Sequence, residues 1–356
     1  MSKKILYVAS TKSHLDRFHR PYLEGLKREF NVFTMANGER VDFEIPFQKS
    51  FFCLKNLLSI WSIRRILNRE RFDGVLLNTS LASFLVRVAM IGMRCRPRVI
   101  NIVHGYLFDL PPKGWKGRLM LLCERFVARY TDAIAVMNEV DLRIARKYRL
   151  AKESISFIKG MGYTLDRASI SRNPALRQMF APSGEKLLTY VGELSERKDQ
   201  AFLIRCVHRL RAMGIPVRLM LVGEGGARAK LEVQIKELGL TGQVILLGNR
   251  EPILPYLSIT DLYVSASRIE GLPFNVMEAM ACGLPMILSD CKGQGDLLRN
   301  HPNCLYPVGD EAAFCRLVEM ALQEKLGVGA VEYQGVEAYT LQSVFIENLN
   351  IMKGFF

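Results

Sequence analysis

Short aliphatic runs alternate with longer amphipathic segments along the whole chain, and this alternation predicts a series of strands and helices. Twelve runs have the length and the β-branched or aliphatic content of buried strands. The predicted strands are Ile5–Ser10, Val32–Ala36, Gly74–Asn78, Val99–His104, Ala133–Met137, Ile155–Lys159, Leu187–Gly192, Arg218–Gly223, Val244–Gly248, Leu262–Ala266, Pro285–Ser289 and Cys304–Val308. A helix is predicted over Lys198–Met213, where apolar residues at helical spacing precede Gly214.

Regular alternation of strands and helices indicates parallel sheets that are covered on both faces by helices. Two such series in 356 residues predict an α/β protein with two doubly wound, Rossmann-like domains that face each other across a cleft. The polar stretch Tyr163–Glu185, which contains prolines and a glycine, is the predicted junction. We therefore expect one domain over residues 1–165, a second over 166–340, and a terminal helix over 341–356 that packs back on the first domain.

Several classes of protein are disfavoured by the sequence. The longest apolar stretch, Leu81–Met93, is interrupted by Arg87 and is shorter than the roughly 18 residues of a membrane-spanning helix. The eight cysteines form no C-x-x-C pair and lie mostly in apolar segments, as is typical of reduced core residues in a cytosolic protein. No G-x-G-x-x-G follows the first strand, and there is no P-loop or D-x-D motif. We expect no cofactor and no metal site.

The net charge of +14 is unevenly distributed. Residues 1–165 contain 29 Lys and Arg against 14 Asp and Glu, a net charge of +15, whereas the rest of the chain has a net charge of −1. Three segments of the basic half, Lys55–Arg71, Phe84–Arg98 and Trp115–Arg129, mix aliphatic and aromatic residues with arginines. Such segments are typical of helices that contact an anionic membrane surface. Nucleic acid is the other anionic partner that the charge allows, but no nucleic-acid-binding motif supports it.

The segment that follows the predicted strand Leu262–Ala266 has the features of an anion-binding loop. Gly271 allows close backbone approach, and Pro273 suits the first turn of a helix whose N-terminal amides would attract phosphate. Glu270 would lie on the loop and Glu278 about one and a half turns into the helix, where carboxylates can accept hydrogen bonds from sugar hydroxyls. On residue types alone, two glutamates stabilised by the helix dipole explain the pattern equally well.

The segment Tyr190–Leu298 resembles the donor-binding half of the family-four retaining glycosyltransferases, which have the GT-B fold. The resemblance rests on five elements in order. They are Lys198, the glycine-rich turn Val222–Gly226, the turn Leu247–Arg250, the Glu-x7-Glu pair of Glu270 and Glu278, and the helix exit Glu278–Pro285. The N-terminal half is similar more loosely, through Val103–Gly105, Ile158–Gly162 and the opening Ser13–Leu23. That opening resembles the capsule, exopolysaccharide and O-antigen branch.

The resemblance implies roles for individual residues. The implied catalytic residues are His104, on the donor sugar, and Glu270. The implied donor-binding residues are Arg197, Lys198, Gly223, Arg250, Gly271, Leu272, Pro273 and Glu278, and Ser13 and His14 are expected on the acceptor side. Where the family often has Gly-Arg, this chain has Gly192 followed by Glu193. Arg197 can replace the missing cation on the donor diphosphate, or it can form an ion pair with Glu193.

The resemblance further implies transfer of a hexose or N-acetylhexosamine from a nucleotide sugar, expected to be UDP-linked, with retention and without a metal. The implied acceptor is a polyprenyl-diphosphate-linked saccharide, and we expect a cytoplasmic protein held peripherally at the inner face of the plasma membrane. Two alternatives stay open at this point. One is a GT-B-fold sugar-nucleotide epimerase, and the other is a basic nucleic-acid-binding protein without enzymatic activity.

Overall fold

The computed structural model describes residues 2–48, 53–164, 173–323 and 335–356. The chain divides into two compact units. The first comprises Met1–Gly162 and Ala338–Phe356, and the second comprises Tyr163–Glu337. The predicted boundary between residues 165 and 166 lies outside the described residues.

The first unit contains a seven-stranded sheet in which every neighbouring pair of strands is parallel. Its strands are β1 (Lys4–Thr11), β2 (Asn31–Asn37), β3 (Phe43–Glu44), β4 (Gly74–Leu77), β5 (Arg98–Val103), β6 (Ala133–Val136) and β7 (Ser154–Phe157). They are arranged in the order β3-β2-β1-β4-β5-β6-β7. The central strands are buried on both faces, which explains why they read as continuous apolar runs in the sequence.

Helices follow most strands of the first unit. They are α1 (Lys12–His14), a π-helical turn (Leu15–His19), α2 (Arg20–Leu26), α3 (Leu54–Glu70), α4 (Ser80–Ala89), α5 (Gly114–Val127), a 3₁₀ turn (Ala128–Tyr130) and α6 (Glu139–Tyr148). The C-terminal helix Leu341–Phe355 belongs to this unit as well. Its buried Asn348 donates hydrogen bonds to the Gly160 carbonyl at 2.7 Å and to the Tyr22 hydroxyl at 3.1 Å, so polar contacts fix the helix against the unit.

The second unit contains a six-stranded parallel sheet in the order β10-β9-β8-β11-β12-β13. The strands are β8 (Lys186–Val191), β9 (Val217–Val222), β10 (Val244–Gly248), β11 (Leu262–Ser265), β12 (Met286–Ser289) and β13 (Leu305–Tyr306). Its helices are α7 (Pro174–Phe180), α8 (Gln200–Ala212), α9 (Arg228–Glu237), α10 (Leu254–Ser258), α11 (Phe274–Ala281), α12 (Gln294–Leu297), a 3₁₀ turn (Pro302–Cys304) and α13 (Glu311–Leu322). The 3₁₀ turn Val336–Tyr339 and α14 (Leu341–Phe355) end the chain.

The predicted α/β class with two parallel sheets is confirmed, and all twelve predicted strands are present with ends within two residues of those predicted. The sequence analysis missed β3, an edge strand of two residues that is too short to give an apolar pattern. The predicted helix over Lys198–Met213 begins later, at Gln200, with Asp199 as its N-cap in the left-handed conformation. Lys198 therefore lies in the loop before the helix.

The prediction that Phe84–Arg98 forms a basic helix facing outward is wrong. Helix α4 ends at Ala89, and Arg87 within it is fully buried. The Arg87 guanidinium makes a bidentate ion pair with Glu124 of α5, both contacts at 3.0 Å, because a buried cation must be compensated. In the described part of the chain, no helix combines the length and the apolar character needed to cross a bilayer.

Candidate active site

The candidate donor site lies at the carboxyl ends of the strands in the second unit. The loops that follow β8 and β11 contain Lys198 and Glu270, respectively, and these two strands are hydrogen-bonded neighbours. Since the carboxyl ends of parallel strands share one edge of the sheet, the two loops emerge side by side, in the position where open α/β sheets bind ligands.

Glu270 lies between two cations. Lys198 Nζ donates a hydrogen bond to Glu270 Oε1 at 2.5 Å, and Arg197 Nη1 lies 3.3 Å from Glu270 Oε2. Lys198 is only 8% exposed and Glu270 only 5%, so the pair is shielded from water. Burial raises the pKa of the Glu270 carboxyl, but the cations of Lys198 and Arg197 lower it by more, and the resulting pKa lies below the ordinary value. Glu270 is therefore ionised at neutral pH, and the cluster has one excess positive charge.

A second set of contacts ties the same two loops together. Arg268 forms an ion pair with Asp199 at 2.7 Å, and the Arg268 amide donates to the Arg197 carbonyl at 2.9 Å. Asp199 also caps helix α8, because its carboxylate accepts from the Phe202 amide. The sequence analysis did not identify Arg268 or Asp199. The charged residues that lie close together in each loop were the available signal, but the sequence does not pair them.

Two close contacts between neighbouring loops require glycine. A Cβ atom on Gly223 would lie 2.0 Å from the Gly192 carbonyl oxygen, and one on Gly293 would lie 2.4 Å from the Gly271 carbonyl oxygen. Gly223 and Gly293 also have positive φ angles, of 141° and 81°. Gly223 thus allows the turns after β8 and β9 to pack together, and Gly293 allows the turn after β12 to pack against the Glu270 loop.

The sequence analysis placed Pro273 in the first turn of helix α11. The helix begins one residue later, at Phe274, and Pro273 is its N-cap in an extended conformation. Asn275 in the first turn donates to the Val191 carbonyl at 2.5 Å and to the Tyr263 hydroxyl at 2.8 Å, which fixes the helix start on the sheet edge. Glu278 is the fifth residue of the helix, as predicted. Burial raises the pKa of the Tyr263 phenol, and the negative charge of the Glu278 carboxylate raises it further.

The remaining predicted donor residues lie on the same sheet edge but differ in their surroundings. Leu272 is buried in the loop that follows Glu270. Arg250 lies after β10, at the edge of the sheet, and hydrogen-bonds the Asn249 carbonyl at 3.1 Å. Within residues 173–323, no hydrogen bond or ion pair joins Arg250 to the cluster of Glu270, Lys198 and Arg197.

A buried polar network below the Glu270 loop was missed by the sequence analysis. Gln294 donates to Ser265 Oγ at 2.6 Å. The Ser289 hydroxyl lies within hydrogen-bonding distance of two acceptors, the Ser267 carbonyl oxygen at 2.6 Å and Gln294 Oε1 at 2.9 Å, and its single proton is donated to one of them at a time. These contacts connect the ends of β11 and β12. Serines at the ends of otherwise apolar strands were the available signal, since buried hydroxyls need partners.

The first unit brings three histidines together at the carboxyl ends of β1 and β5. His104 follows β5, and His14 and His19 lie in the helical segment after β1. The three ring centroids are 5.0 to 5.1 Å apart. His104 and His14 were predicted site residues, whereas the sequence analysis assigned no role to His19 and expected no metal site. Ser13, the other predicted acceptor residue, is exposed, and its hydroxyl lies 3.1 Å from that of Thr11.

Comparison with known proteins gives the family. The sequence profile of the glycosyl transferases group 1 matches residues 172–333, and that of the glycosyl transferase 4-like domain matches residues 29–159. Over 334 residues the chain is 30% identical to EpsD of Bacillus subtilis (strain 168), which is assigned as a glycosyltransferase, and the match covers 90% of this chain and 87% of EpsD.

Two further relatives extend the comparison. The chain is 24% identical over 306 residues to the UDP-Gal:alpha-D-GlcNAc-diphosphoundecaprenol alpha-1,3-galactosyltransferase of Escherichia coli, covering 76% of this chain and 74% of that protein. The crystal structure of HepE from Anabaena, in complex with UDP and glucose, matches with a TM-score of 0.76 at 17% identity, over 99% of this chain and 100% of HepE. The structural likeness shows the fold, and the extent of identity to EpsD shows the family. The chain belongs to the group 1 glycosyltransferases and is a transferase.

Proposed function

We propose that the chain transfers a hexose or N-acetylhexosamine from a UDP-linked sugar to a polyprenyl-diphosphate-linked saccharide during surface polysaccharide synthesis, with retention of configuration. The observation that supports this most directly is the buried cluster of Lys198, Arg197 and Glu270 beside the start of helix α11. The E. coli relative acts on a diphosphoundecaprenol-linked sugar with UDP-Gal, and the HepE crystal contains UDP and glucose.

The proposed chemistry follows from where charge develops as the glycosidic bond breaks. The leaving diphosphate gains negative charge, and the cations of Lys198 and Arg197 together with the positive dipole end of α11 stabilise it. In this proposal these groups perform the task that a divalent metal performs in other transferases, so transfer needs no metal. Glu270 and Glu278 accept hydrogen bonds from donor hydroxyls, and His104 supports the reacting sugar.

We assign the acceptor to the first unit, since it contains an apolar cavity of about 340 Å³ between α3, α4 and α5. Its lining includes Leu57, Phe84, Tyr106, Phe108 and Trp115. In this proposal, the cavity takes the isoprenoid chain of the acceptor. The exposed basic residues of α5 then contact the anionic lipid headgroups at the cytoplasmic side of the plasma membrane.

Ligand-dependent thermal unfolding tests the donor assignment. A ligand that binds only the folded protein raises the melting temperature, and a concentration of 100 Kd adds about 2.7 kcal/mol. We expect UDP and at least one UDP-sugar to raise the melting temperature of the wild-type protein, and Lys198→Met to abolish that rise. Lys230→Met is the matched control, because Lys230 lies in the same unit and pairs with Glu196 at an exposed position.

The same assay separates the two alternatives. A shift with UDP-sugar but no transfer to any lipid-linked acceptor, together with isomerised or hydrolysed donor, would favour the epimerase. High-affinity, steeply salt-dependent binding of RNA or DNA without any shift from UDP would favour the nucleic-acid-binding protein.

A further inference from the structure

The three clustered histidines of the first unit have a geometry that sugar transfer does not require. One ring nitrogen from each of His14, His19 and His104 lies within 4.8 Å of the other two. The Nε2 atoms of His14 and His19 are 3.2 Å apart. The Nε2 atom of His104 is buried and has no hydrogen-bond partner among the residues that the structure describes. All three histidines belong to the first unit, so the cluster needs no residue of the second unit.

The backbone explains why His14 and His19 share a face. In an α-helix, residues five positions apart point about 140° away from each other, because each residue turns the chain by about 100°. Here Leu15–His19 forms a π-helical turn, in which backbone hydrogen bonds join residues five positions apart and each turn of the helix contains more residues than in an α-helix. The π turn therefore brings the His14 and His19 rings together. Single π turns inside α-helices are often found at functional sites.

The three imidazoles lie against one another at partly or fully buried positions. Burial lowers the pKa of His14 to about 4, and it lowers the pKa values of His19 and His104 well below the ordinary value, with the neighbouring histidines acting in the same direction on both. An imidazole binds a metal through the lone pair of one ring nitrogen, and each of the three rings offers one such nitrogen to the group. The Tyr7 hydroxyl lies 2.8 Å from His19 Nδ1, which leaves His19 Nε2 facing the other rings.

We propose that His14, His19 and His104 bind one transition-metal ion, with Zn²⁺ as the best match, through one nitrogen from each ring. Zn–N bonds of about 2.0 to 2.1 Å with tetrahedral angles place ligand nitrogens about 3.4 Å apart. The observed separations, from 3.2 Å to at most 4.8 Å, approach that value, so small ring rotations complete the site. In the tautomer that leaves the Nε2 lone pair for the metal, His19 Nδ1–H donates to the Tyr7 hydroxyl oxygen at 2.8 Å. This contact orients the ring, as the second-shell acceptors of metal-bound histidines do elsewhere.

Three histidines leave a fourth position on zinc for water or another ligand. If His104 supports the donor sugar, which rests on the proposed function, an ion that binds its ring removes it from that role. The metal would then inhibit transfer instead of supporting it. Chelators would leave the activity unchanged or raise it.

Cobalt spectroscopy tests the site directly. Co²⁺ added to the full-length protein without a polyhistidine tag is expected to give the visible absorption of a tetrahedral complex, saturating at one equivalent and bleached by Zn²⁺. We expect His14→Gln and His19→Gln to weaken binding at least tenfold, and Tyr7→Phe to weaken it about tenfold to a hundredfold through the lost orienting contact. His208→Gln, a partly exposed histidine of helix α8 in the second unit, should leave binding unchanged.

The proposal is overturned if the wild-type protein gives no tetrahedral cobalt spectrum. It is also overturned if His14→Gln binds as tightly as His208→Gln, or if a thiolate charge-transfer band shows that cysteines are the ligands. His14 is partly exposed, so its variant keeps the test valid if the buried His19 variant does not fold. The thermal shift with UDP is measured in parallel. Its loss would contradict the donor assignment in the second unit without affecting the metal site.

Discussion

At the scale of single residues, the ion pair of Lys198 and Glu270 has two consequences that oppose each other. A buried pair of charges orders the two loops, but removing one partner leaves a charge shielded from water without full compensation. The expectation from residue types alone is that alanine at either position leaves stability nearly intact. The burial of both side chains predicts a loss of stability instead, because exposed charges tolerate deletion and buried ones do not.

Lys198→Met is therefore expected to lower both transfer and stability. Transfer should fall at least about a hundredfold, since a single transition-state contact to developing charge is worth that much. The free energy of unfolding should fall by about 3 kcal/mol, the lower end for a broken buried pair, because Arg197 still contacts Glu270. Urea unfolding and a transfer assay with the true substrates measure the two effects.

The double variant Lys198→Met with Glu270→Leu separates the two effects. Replacing both charges by apolar side chains should restore most of the lost stability while transfer stays absent. Near-wild-type turnover in either variant would contradict the assignment of this cluster to the donor.

Glu270 also gives a pH dependence of stability whose sign follows from its environment. Its pKa in the folded protein lies below the ordinary value of about 4.5, so the unfolded state binds more protons as the pH falls through this range. The contribution of Glu270 is fully present above about pH 5 and is lost as the pH falls through its folded-state pKa. Compared with the wild type, Glu270→Gln should show a shallower loss of unfolding free energy below about pH 4.5. Parallel pH profiles in both proteins would contradict the ion pair.

At the scale of elements, the Glu270 loop depends on how closely the turns after neighbouring strands approach. The turn after β12 reaches the Glu270 loop because Gly293 has no side chain, and the network around Gln294 fixes the strand ends below it. Loop position at this edge therefore depends on tight backbone packing as much as on the charges.

Gly293→Ala and Gly309→Ala test that dependence with matched backbone angles. The two glycines have φ angles of 81° and 84°. A Cβ atom on Gly293 would meet the backbone of Gly271, whereas one on Gly309 would have no atom of the described residues within 4 Å. Gly309→Ala should cost about 1 to 2 kcal/mol from the left-handed conformation alone. Gly293→Ala should cost more and should also reduce the UDP-dependent rise in melting temperature. Equal effects of the two variants would show that the contact with Gly271 is dispensable.

At the scale of the whole molecule, the exposed apolar residues of α3 and α5 lie close to basic ones. Trp61 is 64% exposed and Trp115 is 69% exposed, and Arg129 lies 5.2 Å from the ring of exposed Phe126. Not every arginine is available to a membrane, since Arg64 donates to carbonyls at the end of α4 and Arg87 is buried. The remaining exposed basic residues can each contribute about 1 kcal/mol at an anionic surface.

We expect the full-length protein to sediment with anionic vesicles, to stay free of neutral ones and to be released by salt. Trp61→Ser and Trp115→Ser should each lower the partition coefficient about tenfold, the equivalent of about 1.4 kcal/mol of interfacial burial. Met179→Ser is the control, because Met179 is equally exposed but lies in the second unit. Binding that is indifferent to lipid charge, or equal effects of all three variants, would point to a soluble acceptor.

The sequence by itself determined the class of fold and all but one of the strands, because a buried strand needs only a local apolar run. It also identified Glu270, Lys198 and His104 as candidate site residues, because they lie in short motifs that occur in the same order as in the family that the chain resembles. That Lys198 pairs with Glu270, 72 positions away, was decided only by the tertiary structure, which brings β8 and β11 side by side. The grouping of His14 and His19 was likewise decided there, because their spacing matches no α-helical repeat until the backbone makes a π turn. The burial of Arg87 was also decided by the tertiary structure. From its residue type an arginine is predicted to be exposed, and only the packing of α4 against α5 provides Glu124 as its partner.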